Sequence, residues 1–421
     1  MNATRALRIV IFGETYLPYR SGVTIATEAL ANGLAAAGHR VLVVVPAPAA
    51  SAKKNALREE ASDPAAEEPR DPADKGAPEM AWLPSYQAPR PAPPGYRVPV
   101  PRPSTALERA SEFRPDVVHA QSPFVSGLMA RSVARSVGAG LVFTHHTRFG
   151  DYRHYLGPLA APGARLTQAY LGRYWVGCAA IVAPSIDLAD EIRASLHGSH
   201  RPIVRAIPTG LDLPALAALV PTDPRPLAGW PADSVVVVSV GRLAREKSVE
   251  LLLDAFARAA LGNGRLRLLL VGDGPLRGEL AARARGGTLK GLVHLTGGLP
   301  REEGLALAAG SDLFAFASRT ETQGLVLAEA LAIGLPVVAL EGPGVRDSVR
   351  DGIDGVVVAR APGGAPELDH ARLADAIGSL ASDLSQRASF GEAARAGAYR
   401  FDLKERIREV VALYREVVAR G

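Results

Sequence analysis

The sequence predicts an α/β protein made of two doubly wound, Rossmann-like domains. Short, fully apolar segments alternate with amphipathic helical patterns in two separate series along the 421 residues. Strands that are apolar on both faces are typical of parallel sheets covered by helices on both sides. A chain of this length also exceeds what one hydrophobic core usually supports, which favours two domains.

The first series predicts an N-terminal domain over residues 1–203. Ile9 to Phe12 is its first strand, and the helical pattern Val23 to Ala37 follows and stops at Gly38, as helices often do. Residues 46–103 are rich in proline, alanine and acidic side chains, which predicts a partly disordered insertion. Further strands are expected at Val41–Val45, Val117–His119, Leu141–Thr144 and Ile181–Ala183.

The second series predicts a C-terminal domain over residues 204–398, followed by a closing helix within residues 399–421. An apolar stripe at helical spacing predicts that this last helix buries one face. The stripe consists of Ile407, Val410, Val411, Tyr414 and Val418. The strands of this domain are expected at Val235–Val240, Leu266–Val271, Val293–Thr296, Leu313–Ala317, Val337–Leu340 and Gly355–Val358.

Composition limits the classes of function. No apolar run approaches the eighteen or so residues that span a bilayer, so we expect a soluble or peripheral protein. Cys178 is the only cysteine, which excludes an internal disulfide and suits a reducing cytoplasm. The formal charge of +5 suits anionic small ligands or lipid headgroups, and no nucleic-acid module accompanies it, so nucleic acid is not an expected partner.

Glycine-rich and cationic segments follow several predicted strands, which is where parallel sheets bind ligands. The loop that ends at Gly22 precedes a helix and can approach a phosphate, although taken alone an ordinary strand-to-helix turn is the simpler interpretation. Arg242 and Lys247 follow the first strand of the second domain and are candidate phosphate cations or else solvated charges. Arg277 stands three residues beyond Gly274, where a dinucleotide fingerprint needs glycine, which counts against a dehydrogenase.

Two glutamates follow the predicted strand Leu313–Ala317. Glu321 and Glu329 are separated by seven residues that include Gly324 and Leu325. If a helix begins near Gly324, Glu321 lies in the preceding loop and Glu329 in the first turns, beside an N-terminus that favours phosphate. This arrangement is that of a nucleotide-sugar site, but glutamates also occur near helix N-termini for electrostatic reasons alone.

Histidines follow a strand of the first domain. His145 and His146 come directly after Leu141–Thr144. If the two domains face each other across a cleft, this position aims both histidines into it from the N-terminal domain. No cysteine or histidine spacing matches a metal site, so we expect no metal and no other cofactor.

Taken together and in order, these motifs resemble family 4 of the GT-B glycosyltransferases, which are retaining enzymes without an Asp-x-Asp metal motif. The likeness covers almost the whole chain outside the insertion and implies the GT-B fold, in which two domains face each other across a cleft. The segments that carry it are the loop ending at Gly22, Asp116–Phe124, His146-Thr147, Gly241–Leu243 with Lys247, Gly272–Pro275 and Glu321–Glu329.

The resemblance implies which residues bind the donor, a nucleoside-diphosphate hexose. Arg242 and Lys247 would bind its pyrophosphate, assisted by the backbone amides of Gly22, Gly324 and Leu325. The cations would also stabilise the leaving diphosphate.

The resemblance also implies roles around the sugar. Glu329 would bind the ribose hydroxyls, and Glu321 and His146 would contact hydroxyls of the transferred sugar as the catalytic side chains. Ser21 stands where the family often has a glycine, which weakens the expectation of close phosphate approach by that loop.

A finer resemblance concerns the acceptor. The stretch from His145 to Tyr155 looks like the branch that contains diacylglycerol glucosyltransferases, and Glu321–Leu325 fits that branch too. It implies transfer of glucose from UDP-glucose to diacylglycerol or a related glycolipid, with Arg148, Tyr152 and Tyr155 on the acceptor side.

Cations alternate with aromatics further along. Arg165, Tyr170, Arg173 and Tyr174 form a pattern that suits an anionic membrane surface, which is consistent with a cytoplasmic enzyme attached to the inner face of the membrane. The same pattern also fits helices with aromatic cores and solvated arginines.

Two alternatives stay open. A nucleotide-sugar 2-epimerase shares this architecture but performs acid-base chemistry on the bound sugar without an acceptor. A non-catalytic sugar-binding module of two α/β domains would only bind, and the lack of a signal peptide and the phosphate-type cations argue against it.

Overall fold

The computed structural model describes residues 5–48, 76–89, 95–148, 160–198, 201–361 and 365–421. The chain divides into two compact units, one containing Met1–Gly210 and Leu403–Gly421 and the other Leu211–Asp402. Each unit is built around its own parallel sheet. The prediction of two doubly wound α/β domains is therefore confirmed.

The first unit contains a seven-stranded parallel sheet and a small antiparallel pair of strands. The strands are β1 (Arg8–Phe12), β2 (Arg40–Pro46), β3 (Glu79–Leu83), β4 (Ser85–Gln87), β5 (Arg97–Pro99), β6 (Val117–Ala120), β7 (Gly140–Thr144), β8 (Ala180–Ala183) and β9 (Ile203–Ala206). The helices are α1 (Gly22–Ala36), α2 (Thr105–Glu112), α3 (Val125–Val137), α4 (Ala160–Val176) and α5 (Ile186–Ser195). The order in the sheet is β3-β2-β1-β6-β7-β8-β9, and β4 pairs with β5.

The second unit contains a six-stranded parallel sheet in the order β12-β11-β10-β13-β14-β15. Its strands are β10 (Val235–Val240), β11 (Leu266–Val271), β12 (Val293–Gly297), β13 (Leu313–Phe316), β14 (Val337–Leu340) and β15 (Gly355–Val358). Its helices are α6 (Leu213–Ala217), α7 (Pro224–Ala228), α8 (Val249–Gly262), α9 (Arg277–Ala284), α10 (Arg301–Ala309), α11 (Leu325–Ala332), α12 (Val345–Ser348), α13 (Pro366–Ser382) and α14 (Leu384–Gly397). Clusters of buried side chains cover both faces of each sheet, as the apolar strands predict.

The last helix, α15 (Leu403–Arg420), packs on the first unit. Glycines on that unit allow its backbone to come close, because a Cβ on Gly33 would lie 2.6 Å from Ile407 Cγ1 and one on Gly140 would lie 2.2 Å from Val417 Cγ1. Val417 is buried, whereas the predicted Val418 is only partly so.

The structure moves the predicted domain boundaries. The first unit ends at Gly210 rather than at residue 203, because Ile203–Ala206 pairs with β8 as the edge strand of the first sheet. The second unit ends at Asp402 rather than at residue 398, and the predicted closing segment 399–421 is divided at that point.

The predicted insertion over residues 46–103 is too wide. Glu79–Leu83 pairs with β2, and its side chains Ala81 and Leu83 are buried, so this strand completes the sheet. The apolar alternation of this strand is short and lies between proline-rich segments, so the sequence does not show it as a strand. Residues 49–75 and 90–94, where the sequence also predicts disorder, lie outside the described residues.

Candidate active site

Both sheets contain a point at which the strand order reverses. It lies between β1 and β6 in the first unit and between β10 and β13 in the second. Open α/β sheets bind ligands in the crevice that forms at this point, beyond the carboxyl ends of the strands. The candidate residues of both units follow these strands or a direct neighbour, β7.

Two glycine loops fix the backbone at the reversal point of the second sheet. A Cβ on Gly272 would lie 2.0 Å from the Gly241 carbonyl oxygen, and one on Gly274 would lie 2.4 Å from that of Leu243. Gly241 and Gly272 also have φ values of 151° and 140°, which side chains rarely tolerate. The loops after β10 and β11 therefore pack backbone to backbone, as only glycine permits.

Lys247 and Glu321 meet at this point. Lys247 Nζ donates a hydrogen bond to Glu321 Oε1, so the structure brings together two residues that lie 74 positions apart. The two loops are also joined by Ser318 and Thr320, whose hydroxyls lie 3.4 and 3.3 Å from the Glu246 carbonyl oxygen. Hydrogen bonds between the two loops therefore hold this pair in place at the carboxyl ends of β10 and β13.

Arg242 lies on the same loop as Lys247 but is more exposed. Its side chain is 47% accessible and contacts the buried Glu246 carboxylate at 4.0 Å. Of the three cations on this loop, Arg242 is half-exposed, Arg245 is exposed and Lys247 is engaged with a glutamate.

Helix α11 begins at Leu325, as predicted, and Gly324 before it has a φ of 72°. Glu329 is buried within this helix, and Arg301 Nε and Nη2 donate to its Oε1 at 3.0 and 2.6 Å. Burial raises the pKa of Glu329, while Arg301 acts in the opposite direction. Within the described residues no donor bonds to Oε2, so that oxygen is available. Arg301 lies a whole helix and strand before Glu329, so no local sequence pattern predicts this contact.

His146 follows β7 in the first unit. Its Nε2 lies 2.7 Å from Gln121 Oε1, and since an amide oxygen only accepts, this nitrogen carries the proton. Burial lowers the pKa of His146 to about 4, so the imidazole is neutral at physiological pH. The Gln121 amide nitrogen is buried, with no partner among the described residues.

A second histidine joins α15 to the sheet. His119 Nδ1 lies 2.6 Å from Tyr414 Oη, and His119 Nε2 lies 2.7 Å from Thr144 Oγ1. Burial and then the neighbouring His146 lower the pKa of His119 to about 3. The sequence analysis placed Tyr414 in a buried stripe, but periodicity contains no signal for its hydrogen bond.

Ser21 explains the departure from glycine before α1. It caps the helix, because its hydroxyl accepts from the Thr24 amide at 3.3 Å and its own amide donates to Thr24 Oγ1 at 2.7 Å. The Thr24 amide is therefore already bonded. Gly22 is exposed, and a Cβ there would meet nothing within 4 Å.

On the predicted acceptor side, Arg148 is engaged within its own unit. Its Nη1 donates to Glu191 Oε2 at 2.5 Å. Tyr152 and Tyr155 lie outside the described residues.

Two kinds of feature are absent from the described residues. No group of three or more histidine, cysteine, aspartate or glutamate side chains there is arranged to hold a metal ion. Within the same ranges, no helix has both the length and the hydropathy that crossing a lipid bilayer requires.

Two family models match the chain. The model described as Glycosyltransferase Family 4 matches residues 20–214, and the model described as Glycosyl transferases group 1 matches residues 225–397. The first match falls almost entirely in the first unit and the second lies within the second unit.

Named relatives extend over most of the chain. The alpha-monoglucosyldiacylglycerol synthase of Acholeplasma laidlawii is 28% identical over 83% of this chain and 84% of its own. The D-inositol 3-phosphate glycosyltransferase 1 of Catenulispora acidiphila is 31% identical over 73% of each chain. The solved Anabaena protein HepE, in complex with UDP and glucose, is 19% identical with a TM-score of 0.68 and covers 96% of this chain and 98% of its own. That likeness shows the fold.

Removing the partner of Glu329 tests the buried ion pair. Arg301→Met leaves a buried carboxylate without its donors, so the free energy of unfolding should fall by about 1–3 kcal/mol at pH 8. The loss should be smaller at pH 5, where the isolated carboxyl can take up a proton. Urea unfolding measures both. In the double variant Arg301→Met/Glu329→Gln much of the stability should return, and a double variant no better than the single one would contradict this account.

The buried histidines predict acid sensitivity. Burial lowers the pKa values of His119, His145 and His146 from the ordinary 6.5 to about 3 to 4, so the unfolded chain binds protons more readily than the folded one. Their contribution to stability is complete above pH 6.5 and is lost as the pH falls towards 4. The melting temperature should therefore drop between pH 7 and 5. The melting temperature of His119→Gln should be lower at pH 7 and should fall less steeply as the pH decreases. An unchanged slope would count against the buried histidines as the cause of the acid sensitivity.

Proposed function

The chain belongs to glycosyltransferase family 4 and is a hexosyltransferase with the GT-B fold, and from this premise we propose that it is a retaining enzyme that transfers glucose from UDP-glucose to diacylglycerol or a related glycolipid. The name of the Acholeplasma laidlawii relative supports the sugar and the acceptor. The complex of HepE with UDP and glucose supports the nucleotide.

The observation that carries the proposal is the Lys247–Glu321 pair at the strand reversal of the second sheet. An ammonium has three N–H donors, so Lys247 can bond Glu321 and a donor phosphate at the same time. Arg242 on the same loop adds a second cation for the diphosphate. The amides of Gly324 and Leu325, at the start of α11, assist, since the free N–H groups of a helix N-terminus favour a phosphate.

Glu329 binds the ribose hydroxyls in this proposal. Arg301 holds Oε1 in place, and Oε2 is left to accept hydrogen bonds from a diol. Gly22 supplies a further amide to the diphosphate from the exposed start of α1.

The transfer step breaks the bond between the anomeric carbon and the diphosphate oxygen and forms a bond from the same face to the acceptor oxygen. The acceptor proton passes to a phosphate oxygen, so no protein base is needed. Arg242 and Lys247 stabilise the negative charge that develops on the leaving group. Glu321 and the neutral His146 hold hydroxyls of the transferred sugar.

The acceptor reaches the enzyme from a membrane in this proposal, with the protein attached peripherally to the inner face from the cytoplasm. Helix α4 presents Leu166, which is 72% exposed, and the exposed Arg165, Arg173 and Val176. Phe124 is also exposed in the same unit. Cations beside exposed apolar side chains are typical of surfaces that lie on anionic bilayers. Arg148, Tyr152 and Tyr155 complete the proposed acceptor side.

The donor site is tested by a matched pair of loop variants. Lys247→Ala and Glu321→Ala should lower kcat for glucose transfer about 10²–10³-fold, because each removes stabilisation of the transition state. Arg245→Ala removes an exposed cation two residues from Lys247 and should retain near-normal transfer. Transfer from UDP-glucose to diacylglycerol in micelles is the measurement, with melting temperatures to confirm folding. Normal turnover in Lys247→Ala would overturn the assignment, and donor conversion without acceptor would favour an epimerase.

Membrane attachment is tested by sedimentation with vesicles that contain phosphatidylglycerol. The double variant Arg165→Gln/Arg173→Gln should bind about 30-fold more weakly, since each cation near an anionic surface contributes roughly 1 kcal/mol. Arg408→Gln/Arg420→Gln changes two exposed arginines of α15 and serves as the control. Equal loss in both double variants would mean that α4 is not the attachment surface.

A further inference from the structure

A glutamate that the sequence analysis left unassigned lies at the strand reversal of the first sheet. Glu14 follows β1, and Ser126, in the first turn of α3 after β6, donates to its Oε2 from both the backbone nitrogen and the hydroxyl at 2.9 and 2.7 Å. Ser126 is fully buried. Glu14 therefore occupies the first unit's counterpart of the position that Lys247 and Glu321 occupy in the second.

Only one oxygen of this carboxylate is used. Both hydrogen bonds of Glu14 fall on Oε2, and no donor or cation among the described residues bonds to Oε1. The side chain is only half-buried. A carboxylate that is fixed in direction, negatively charged and partly accessible is a preorganised acceptor for a hydroxyl.

Aromatic rings surround the same turn of α3. Tyr170 Oη donates to the Pro123 carbonyl at 2.5 Å, and the Tyr170 ring stacks on Phe124 with centroids 6.1 Å apart. Burial raises the pKa of both Tyr170 and Tyr96, and the charge of Glu14 adds a smaller increase at each ring, while Arg131 acts in the opposite direction at Tyr170. Both rings therefore lie near the carboxylate. Phe124 is 41% exposed, so part of this aromatic group is accessible.

We propose that Glu14 binds the acceptor, with Oε1 accepting a hydrogen bond from a hydroxyl of its head group while Phe124 and Tyr170 pack against the carbon skeleton. The inference rests on the proposed function and deepens it. Hydroxyls are the donors that a carboxylate needs, and the C–H faces of glycerol or a sugar ring suit aromatic side chains.

The unpaired charge also selects against some acceptors. Glu14 forms no ion pair within the described residues, and its carboxylate would repel a phosphate placed beside Oε1. The acceptor class is therefore a neutral, hydroxyl-bearing head group rather than a phosphorylated one.

The test compares Glu14→Gln with Glu108→Gln, which alters an exposed glutamate on α2 of the same unit. In Glu14→Gln the amide oxygen still accepts from Ser126, so the fold is kept. The KM for diacylglycerol in neutral micelles should rise about tenfold or more, while the KM for UDP-glucose and the affinity for UDP stay unchanged. Phe124→Ala should also raise the acceptor KM, and Leu128→Ala, one turn along α3, should not.

Two acceptors are compared to identify which head group Glu14 binds. The acceptor KM is measured with diacylglycerol and with monoglucosyldiacylglycerol, and a shift with either one supports the proposal and identifies glycerol or sugar as the bound group. Wild-type enzyme should prefer these to a glycerol phosphate acceptor, and Glu14→Gln should narrow that preference.

Different results would contradict the role of Glu14 and the proposed function. An acceptor KM in Glu14→Gln equal to that of Glu108→Gln, or a shift in the donor KM instead, overturns the role of Glu14 while glucose transfer by the wild type still stands. A wild-type enzyme that transfers nothing from UDP-glucose overturns the proposed function itself.

Discussion

The proposed donor site depends on backbone contact between two glycine loops at the carboxyl edge of the second sheet. Any side chain on Gly272 or Gly274 would collide with the carbonyl oxygens of the Gly241–Leu243 loop. Because the loops pack so closely, the segment after β10 turns directly across the end of the sheet and reaches the loop after β13. The main chain of this loop thus places Arg242 and Lys247 at that edge of the sheet, where Lys247 reaches Glu321.

Three glutamates share one mode of attachment. Glu321 is held by Lys247, Glu329 by Arg301 and Glu14 by Ser126, each through a single carboxylate oxygen. A carboxylate fixed in this way loses little further conformational freedom when a hydroxyl binds to its other oxygen, which favours affinity and orientation together. Carbohydrate and ribose ligands present many hydroxyls, so repeated use of this arrangement suits a protein that handles sugars.

The regular parts of the fold follow from the sequence because periodicity and burial are local signals. Val235–Val240 and Gly355–Val358 are strands with the predicted bounds, and α11 begins where Gly324 predicts. The predicted boundary at residue 203 falls inside the edge strand β9, since a short apolar segment does not show which sheet it joins. Contacts such as Glu14 with Ser126, 112 positions apart, depend on strand order and leave no local pattern.

The return of α15 to the first unit has a consequence for synthesis. Residues up to Gly210 emerge from the ribosome before Ile407 and Tyr414 have been synthesised, so the apolar surface that these side chains cover is still exposed. That apolar surface and the imidazole of His119 stay uncovered while the whole of Leu211–Asp402 is translated. Nascent chains are therefore exposed to aggregation for an extended interval, and the first unit becomes complete only once α15 has been translated.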